Sequence, residues 1–324
     1  MYSPRRFSLA PMMDWSDRHC RYFWRLLSKR AFLYTEMVTT GALIHGDRDR
    51  FLNFNPEEHP VALQVGGSNP KELAACAQMA ESWGYDEINL NCGCPSDRVQ
   101  SGMIGACLMG HPQLVADCIK AMQDAVSIPV TVKHRIGIDD MDDDAGLAEF
   151  VTPIAATGCA TFIVHARKAW LQGLSPKENR EVPPLNYGRV HRLKQEHPEL
   201  EIILNGGLTT LAECQAQLDH VDGVMVGREA YHNPWLLTEV DSALYGEAPV
   251  PRDRLAIMNE MLSYIDQQLS QGMRLHHITR HLLGLFHGQP GGKQFRRVIS
   301  AEAHKPGAGA ELVDRALDEI RSRM

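Results

Sequence analysis

Short apolar or β-branched runs recur through the first two thirds of the chain, at 7–10, 33–34, 61–65, 87–90, 130–132, 161–164, 202–204 and 223–226. Each reads as a buried strand. Between them the apolar spacing changes to three and four, as in helices. In the segment 70–83, Asn69 stands where a cap is needed, Pro70 takes the first helical position and Gly84 ends the run. In 111–126, Leu114, Val115, Cys118, Ile119 and Met122 share one face, and Pro129 precedes the next strand. Successive strands lie about 31 residues apart, the length of one strand, a crossover helix and two loops. Eight such units predict an α/β fold, a closed (β/α)8 TIM barrel.

After residue 245 the alternation stops. A linker punctuated by Gly246, Pro249 and Pro251 leads into helical patterns at 253–271, 275–286, 293–303 and 308–322. The expected organisation is therefore a barrel over 1–245 and an all-helical domain over 246–324. Composition sharpens the contrast between them. The whole chain of 324 residues carries 33 Lys and Arg against 40 Asp and Glu, a net charge of −7, which excludes a protein that coats nucleic acid by bulk positive charge. The acidity is uneven, with 22 basic and 30 acidic residues over 1–240 but 11 and 10 over 241–324. Within 274–305 there are six basic residues, five histidines and one carboxylate, Glu302. The eight cysteines form no C-x-x-C and no zinc-type pair, and no secretion signal precedes them, so thiols in a cytoplasmic protein without a structural metal are expected. The run 139–144, five aspartates in six residues, reads as a solvated loop because it lacks the glycine and terminal glutamate of a calcium loop.

In such barrels the chemistry gathers at the C-terminal ends of the strands. Here those ends are polar: Pro11, Met12 and Met13 after the first, then Glu36, Gln64, Asn91, Lys133 with Arg135, His165, Asn205 with Gly206 and Gly207, and Gly227 with Arg228. One polar strand end is an ordinary cap; a ring of them around one mouth calls for a ligand to pair with it. The glycines after strands seven and eight, with Arg228, suit a phosphate. Lys133, Gln64 and His165 suit the ring system of a phosphorylated cofactor, and flavin mononucleotide (FMN) fits that inventory. No G-x-G-x-x-G is present, so a nicotinamide donor would visit without a Rossmann site. Cys94, before a proline in a glycine-rich loop, is set unlike a core cysteine. These features alone also fit an FMN barrel oxidoreductase of a small molecule, a phosphate-binding isomerase, or a non-catalytic tRNA-binding protein.

The segments APMMDWSDRHCR, YTEMVTTGA, HPVALQVGGS, INLNCGCPSDRVQSGMIGACLM, PVTVKHRIGI, VHARKAWLQGLSPKENREVPPL, NGGL, DGVMVGREAYHNPW and ITRHLLGLFHGQPGGKQFRRVIS together resemble the tRNA-dihydrouridine synthases, most closely the A-type subfamily. The resemblance implies an FMN-dependent, NADPH-consuming reduction of the C5–C6 double bond of D-loop uridines 20 and 20a in tRNA. It implies that Cys94 is the catalytic acid, and that Pro11, Met12, Met13, Gln64, Lys133, His165, Asn205, Gly206, Gly207, Gly227 and Arg228 contact FMN. Asn91, with Lys177 and Arg180 of the K-x-N-R element, is expected to hold the target uridine or nearby tRNA, and Arg296 and Arg297 to read tRNA from the helical domain. Cys92 and His134 depart from the aliphatic and the small or hydroxylated residue expected there, and the first raises the prospect of a redox event with Cys94. The chemistry is coherent: a hydride delivered to uracil C6 must be matched by a proton at C5 from the opposite face, which a thiol can supply. A uridine buried in folded tRNA must be extruded to be reached, which accounts for a basic helical module and a cationic loop.

Overall fold

The computed structural model describes residues 2–96, 102–141 and 143–323. It has eight parallel strands in the order β1-β8-β7-β6-β5-β4-β3-β2: β1 (Phe7–Leu9), β2 (Leu33–Thr39), β3 (Val61–Gly66), β4 (Glu87–Cys92), β5 (Val130–Arg135), β6 (Thr161–His165), β7 (Glu201–Asn205) and β8 (Gly223–Val226). A parallel bridge between Ser8 and Phe32 joins the first strand to the approach of the second, so the sheet curls into a (β/α)8 barrel. All eight expected strands are present. The second is much longer than 33–34, because its pairing with β3 shifts register between Tyr34 and Met37 and carries the chain past the polar Thr35 and Glu36. Thr35 accepts the backbone N–H of Gln64 at 2.9 Å and donates its own proton to the Glu36 carbonyl at 2.7 Å, so these polar residues are satisfied inside a strand.

The helix Pro70–Trp83 has the bounds expected of it. Asn69 caps it through the N–H groups of Lys71 and Glu72, and Gly84 closes it in the left-handed region at φ 90°. Helix Pro112–Ala125 buries Val115, Cys118, Ile119 and Met122. The barrel interior is filled at mid-height by Ala10, Phe32, Tyr34, Ala62, Ile163, Ile203 and Met225, with Met12 packed against them.

Two compact units divide the chain. The barrel unit comprises the residues up to Asp14 and Phe32–Gly227; Trp15–Ala31 and the chain from Arg228 onward form the other. The second unit is helical. Its helix Arg18–Leu27 is capped by Asp17, whose carboxylate also pairs with Arg280 at 2.7 Å and His281 at 2.9 Å. The helices Arg254–Ser270, Gly292–Glu302 and Ala310–Arg321 correspond to three of the four expected patterns. The fourth does not run to 286: the helix is only Leu275–Thr279, and the chain continues in turns. There Leu282 bonds back to Thr279 and Leu285 to Leu282, while Gly284 packs so closely that a Cβ would stand 2.6 Å from the His232 carbonyl oxygen. Among the described residues no helix is long and apolar enough to cross a membrane.

Candidate active site

Every strand of the barrel alternates, and β4 and β5 show what that does to polar residues. On β5, Thr131, Lys133 and Arg135 share one face, and His134 takes the other. The Lys133 ammonium donates to Asn205 Oδ1 across the mouth at 3.1 Å, and Asn205 in turn donates to the Met225 carbonyl at 2.8 Å. Burial first, then the neighbouring Arg135, pushes Lys133 down to about 7, with Cys94 acting in the opposite sense. His165, at the end of β6, is held well below its ordinary range by burial and by Arg135, Lys133, Arg167 and Arg180, so it is a neutral imidazole at physiological pH. Gln64 is buried at the end of β3 and bonded to Asn89 and Asn91.

Cys94 follows β4 directly and is partly exposed. Its backbone is held on both sides. Asn91 Oδ1 accepts the N–H groups of Gly93 at 3.1 Å and Cys94 at 2.9 Å, and the Cys94 carbonyl accepts the N–H of Ala106 at 2.8 Å. Gly105, at φ 84°, backs this turn so tightly that a Cβ would lie 2.4 Å from the Cys94 carbonyl oxygen. Residues 97–101 of the motif quoted above lie outside the described residues.

Arg135 is almost fully buried and is the feature that motif reading undervalued. Its Nε donates to the Gly93 carbonyl at 2.8 Å, and its Nη1 to those of Lys168 at 3.0 Å and Asn179 at 2.9 Å. One guanidinium thus ties the cysteine loop to two points, Lys168 and Asn179, of the loop after β6. Asn179, fully buried within K-x-N-R, completes the tie by accepting the Trp170 N–H at 2.8 Å and donating to the Trp170 and Leu174 carbonyls. The flanking Lys177 and Arg180 are left exposed. The element therefore splits into a structural asparagine and two solvent-facing cations.

Gly206 and Gly207 leave β7 at φ 117° and 74°; a Cβ on the first would stand 2.7 Å from the His165 ring, and one on the second 2.4 Å from Leu185. Tyr187 donates to the Gly206 carbonyl at 2.7 Å. Only glycine fits at these two positions, and it leaves the backbone N–H groups there without a side chain of their own, the kind of backbone a phosphate can use. Gly227 ends β8 beside Ala10 and Met12. Pro11 and Met12 are half-buried at the head of β1, and Met13 is 57% exposed. A phosphorylated, acceptor-rich ring system fits this set: a half-buried ammonium, an amide, a neutral imidazole, thioethers and bare glycine backbone above the apolar barrel interior.

The structure thus brings Gln64, Asn91, Cys94, Lys133, His165, Asn205, Gly206 and Gly207 to one rim of the barrel. Arg228, exposed at the head of the helix Arg228–His232, belongs to the other unit, as do Arg296, half-buried with Nη1 3.4 Å from His287 Nδ1, and the exposed Arg297. Cys92 points away from the mouth, fully buried, its thiol pushed well above the ordinary range by burial and by Cys118, Cys107 and Cys159. His134 is likewise outward, between Phe150 and Phe162, and burial lowers it to about 4. In the aspartate run, Asp139 accepts from Leu171 and Lys168, Asp143 caps the helix Asp144–Ala155 and Asp144 pairs with Arg189 and Arg192; Asp142 lies outside the described residues.

A family model described as dihydrouridine synthase matches residues 8–321. Among similar proteins, the tRNA-dihydrouridine(20/20a) synthase of Escherichia coli strain K12 is 61% identical over 319 residues, 98% of this chain and 92% of that one. The proteins of the same description from Vibrio cholerae and Yersinia pestis are 61% and 62% identical, over 97% and 98% of this chain and 96% and 92% of theirs.

Proposed function

Because the chain belongs to the dihydrouridine synthase family, we propose that it reduces the C5–C6 double bond of D-loop uridines 20 and 20a in tRNA to 5,6-dihydrouridine, with FMN as cofactor and NADPH as reductant. Full-length similarity to proteins named for that reaction supports the substrate and positions. The barrel unit carries the reaction and the helical unit grips tRNA, in the cytoplasm. FMN would be held by Pro11, Met12 and Met13, by Gln64, Lys133 and His165, and by Asn205 with the glycine backbone at Gly206, Gly207 and Gly227, with Arg228 next in sequence.

When bound, the flavin supplies a hydride to C6 of the uracil. Everything else falls to the chain. Cys94 holds a proton on Sγ and releases it to C5, so one hydrogen is added at each end of the double bond, and the sulfur is reprotonated from solvent. Asn91 and Gly105 keep the thiol's backbone fixed while this happens. Lys133 would place positive charge beside a bound flavin ring. Lys177 and Arg180 meet the flipped nucleotide, and Arg296 and Arg297 the body of the tRNA.

The observation that carries this reading is the partly exposed thiol of Cys94 fixed at the same rim as Gln64, Lys133 and His165. The Cys94→Ala protein is expected to keep its yellow flavin and lose dihydrouridine formation by about a thousandfold, as removal of a general acid does. Turnover near that of the parent, measured by mass mapping of the tRNA product, would overturn the acid role.

A further inference from the structure

Three polar residues occupy alternate positions of β4, Glu87, Asn89 and Asn91, all buried in the barrel. Barrel interiors are ordinarily filled by branched apolar side chains. A row of amides there is tolerated only with a full set of partners. The partners form a single chain running up the barrel. Glu87 Oε1 accepts from the Thr131 hydroxyl at 2.5 Å, and Thr131 Oγ1 accepts from Asn89 Nδ2 at 2.8 Å. Asn89 Oδ1 accepts from Gln64 Nε2 at 2.8 Å, and Gln64 Oε1 accepts from Asn91 Nδ2 at 2.8 Å. The last link is Asn91 Oδ1 to the N–H groups of Gly93 and Cys94. Strand register makes the chain possible, since Gln64 stands opposite Asn89 and Asn89 opposite Thr131.

An amide side chain can face either way, and a hydroxyl can donate in either direction. This ladder is pinned at both ends by groups that cannot. Its lower end is a carboxylate in an ion pair with Arg5 at 2.5 Å, which only accepts. Its upper end is two backbone N–H groups, which only donate. Both termini demand the same polarity, so turning over Asn89 or Gln64 breaks two hydrogen bonds at once, and turning over Asn91 breaks three. The carbonyl oxygen of Asn91 accepts two hydrogen bonds within the ladder and that of Gln64 one, so N–H is what the Asn91 amide offers a ligand.

We propose that Glu87, Thr131 and Asn89 are positioning residues for the active site: from the far end of β4 they set which way the Gln64 and Asn91 amides face, and so anchor the turn that carries Cys94. The span from Glu87 to Asn91 is four residues of strand, about 13 Å. None of the three needs to touch a substrate. The effect on turnover rests on Cys94 being the proton donor, whereas the effects on the thiol and on the turn's amides do not, so the two readings fail separately.

The test is Thr131→Val, which keeps the side chain's shape and removes the relay, set against Thr131→Ser, which keeps the hydroxyl. In the flavin-loaded full chain, Thr131→Val is expected to speed iodoacetamide alkylation of Cys94, mapped by peptide mass, and hydrogen exchange at Gly93 and Cys94, each by about threefold or more. It should lower kcat by about tenfold with KM for tRNA little changed, since a misplaced reacting group loses rate rather than binding. Thr131→Ser should match the parent in all three. Parent-like alkylation and exchange in folded Thr131→Val, or equal defects in Thr131→Ser, would overturn the proposal. Should Thr131→Val not fold, Asn89→Leu cuts the same ladder at its centre and is read identically. The parent alone also decides: Gly93 and Cys94 amides that exchange as fast as in an unstructured peptide would refute the anchor.

Discussion

The two ends of the barrel bury similar amounts of charge and treat it in opposite ways. At the N-terminal end Arg5 meets Glu87 at 2.5 Å and Glu201 at 3.1 Å, Tyr34 donates to Glu87 at 2.7 Å and Thr161 to Glu201 at 2.7 Å. Burial acts to lower the Arg5 guanidinium, but Glu87, Tyr34 and Glu201 outweigh it and the net shift is upward. At the mouth, burial lowers Lys133 to about 7 and Arg135 to about 10, and in both cases another cation deepens the shift. The guanidinium of Arg135 is satisfied by carbonyls, which complete its hydrogen bonds without cancelling its charge. A network in which a cation is met directly by carboxylates is holding the fold together. One that leaves positive charge uncancelled in a half-open cavity is arranged for an anionic or electron-rich ligand.

The largest expected effect breaks the ion-paired end. Arg5→Met strands the Glu87 carboxylate in the interior, and removing one partner of a buried ion pair typically costs about 3–5 kcal/mol. Chemical denaturation of the flavin-free protein is expected to show a loss of that order. A loss below about 1 kcal/mol, the level of an exposed pair, would mean that the barrel floor is wetter than its geometry implies.

How much of this contrast is visible in the chain itself depends on whether a feature is local. Runs such as 202–204 and 223–226 carry no polar side chain on either face, so their strands are legible without tertiary information. The end of β2 is not, because Thr35 and Glu36 look like a turn and become strand only through the register shift against β3. The pattern at 275–286 is helical by spacing but is broken where Gly284 must pass close to the His232 carbonyl, a neighbour far away in sequence. The cysteine, glycine and lysine positions of the rim lie at strand ends and could be read from spacing. Arg135, Asn179 and the ladder below Asn91 could not be assigned roles, since each depends on which carbonyl or amide lies across the barrel. Their one local signal is alternation: EINLNC and VTVKHR place polar residues at every second position in strands buried on both faces.

The second prediction sharpens the contrast at the mouth, and its sign is opposite. Lys133 is lowered from 10.5 to about 7 in the folded protein, so between those values the unfolded chain binds the additional proton, and this group's contribution to stability rises with pH. Below about 7 the whole penalty is present. Lys133→Met should therefore raise the Tm of the flavin-free protein at pH 6, with the gain shrinking as pH approaches 10. Flavin binding should move the other way. A ligand that favours the charged lysine takes up a proton on binding above pH 7, so FMN affinity of the parent should fall with rising pH, by at most about tenfold per pH unit. Fluorescence titration of FMN into the flavin-free protein measures this. A flat profile in the parent, or the same slope in Lys133→Met, would take Lys133 out of the cofactor site.

The smallest effect comes from charges that belong to neither kind. Arg296 and Arg297 stand on the helix Gly292–Glu302 of the second unit, in a stretch where Glu302 is the one carboxylate, and Glu302 is engaged by Arg315 at 2.5 Å. Neither arginine is deeply buried, so neutralising them should leave folding and flavin untouched. Their role in holding tRNA would show in salt dependence, since each phosphate that the protein ceases to neutralise lowers the slope of log affinity against log salt by about one. The double variant Arg296→Gln, Arg297→Gln is expected to bind tRNA several-fold more weakly near physiological salt, with a slope reduced by up to about two, and to oxidise NADPH at the parent rate. A parent-like slope would mean that these arginines do not face phosphate. Loss of NADPH oxidation as well would mean that the helix supports the fold, which would set Arg296 and Arg297 with Arg5 rather than with the cations of the mouth.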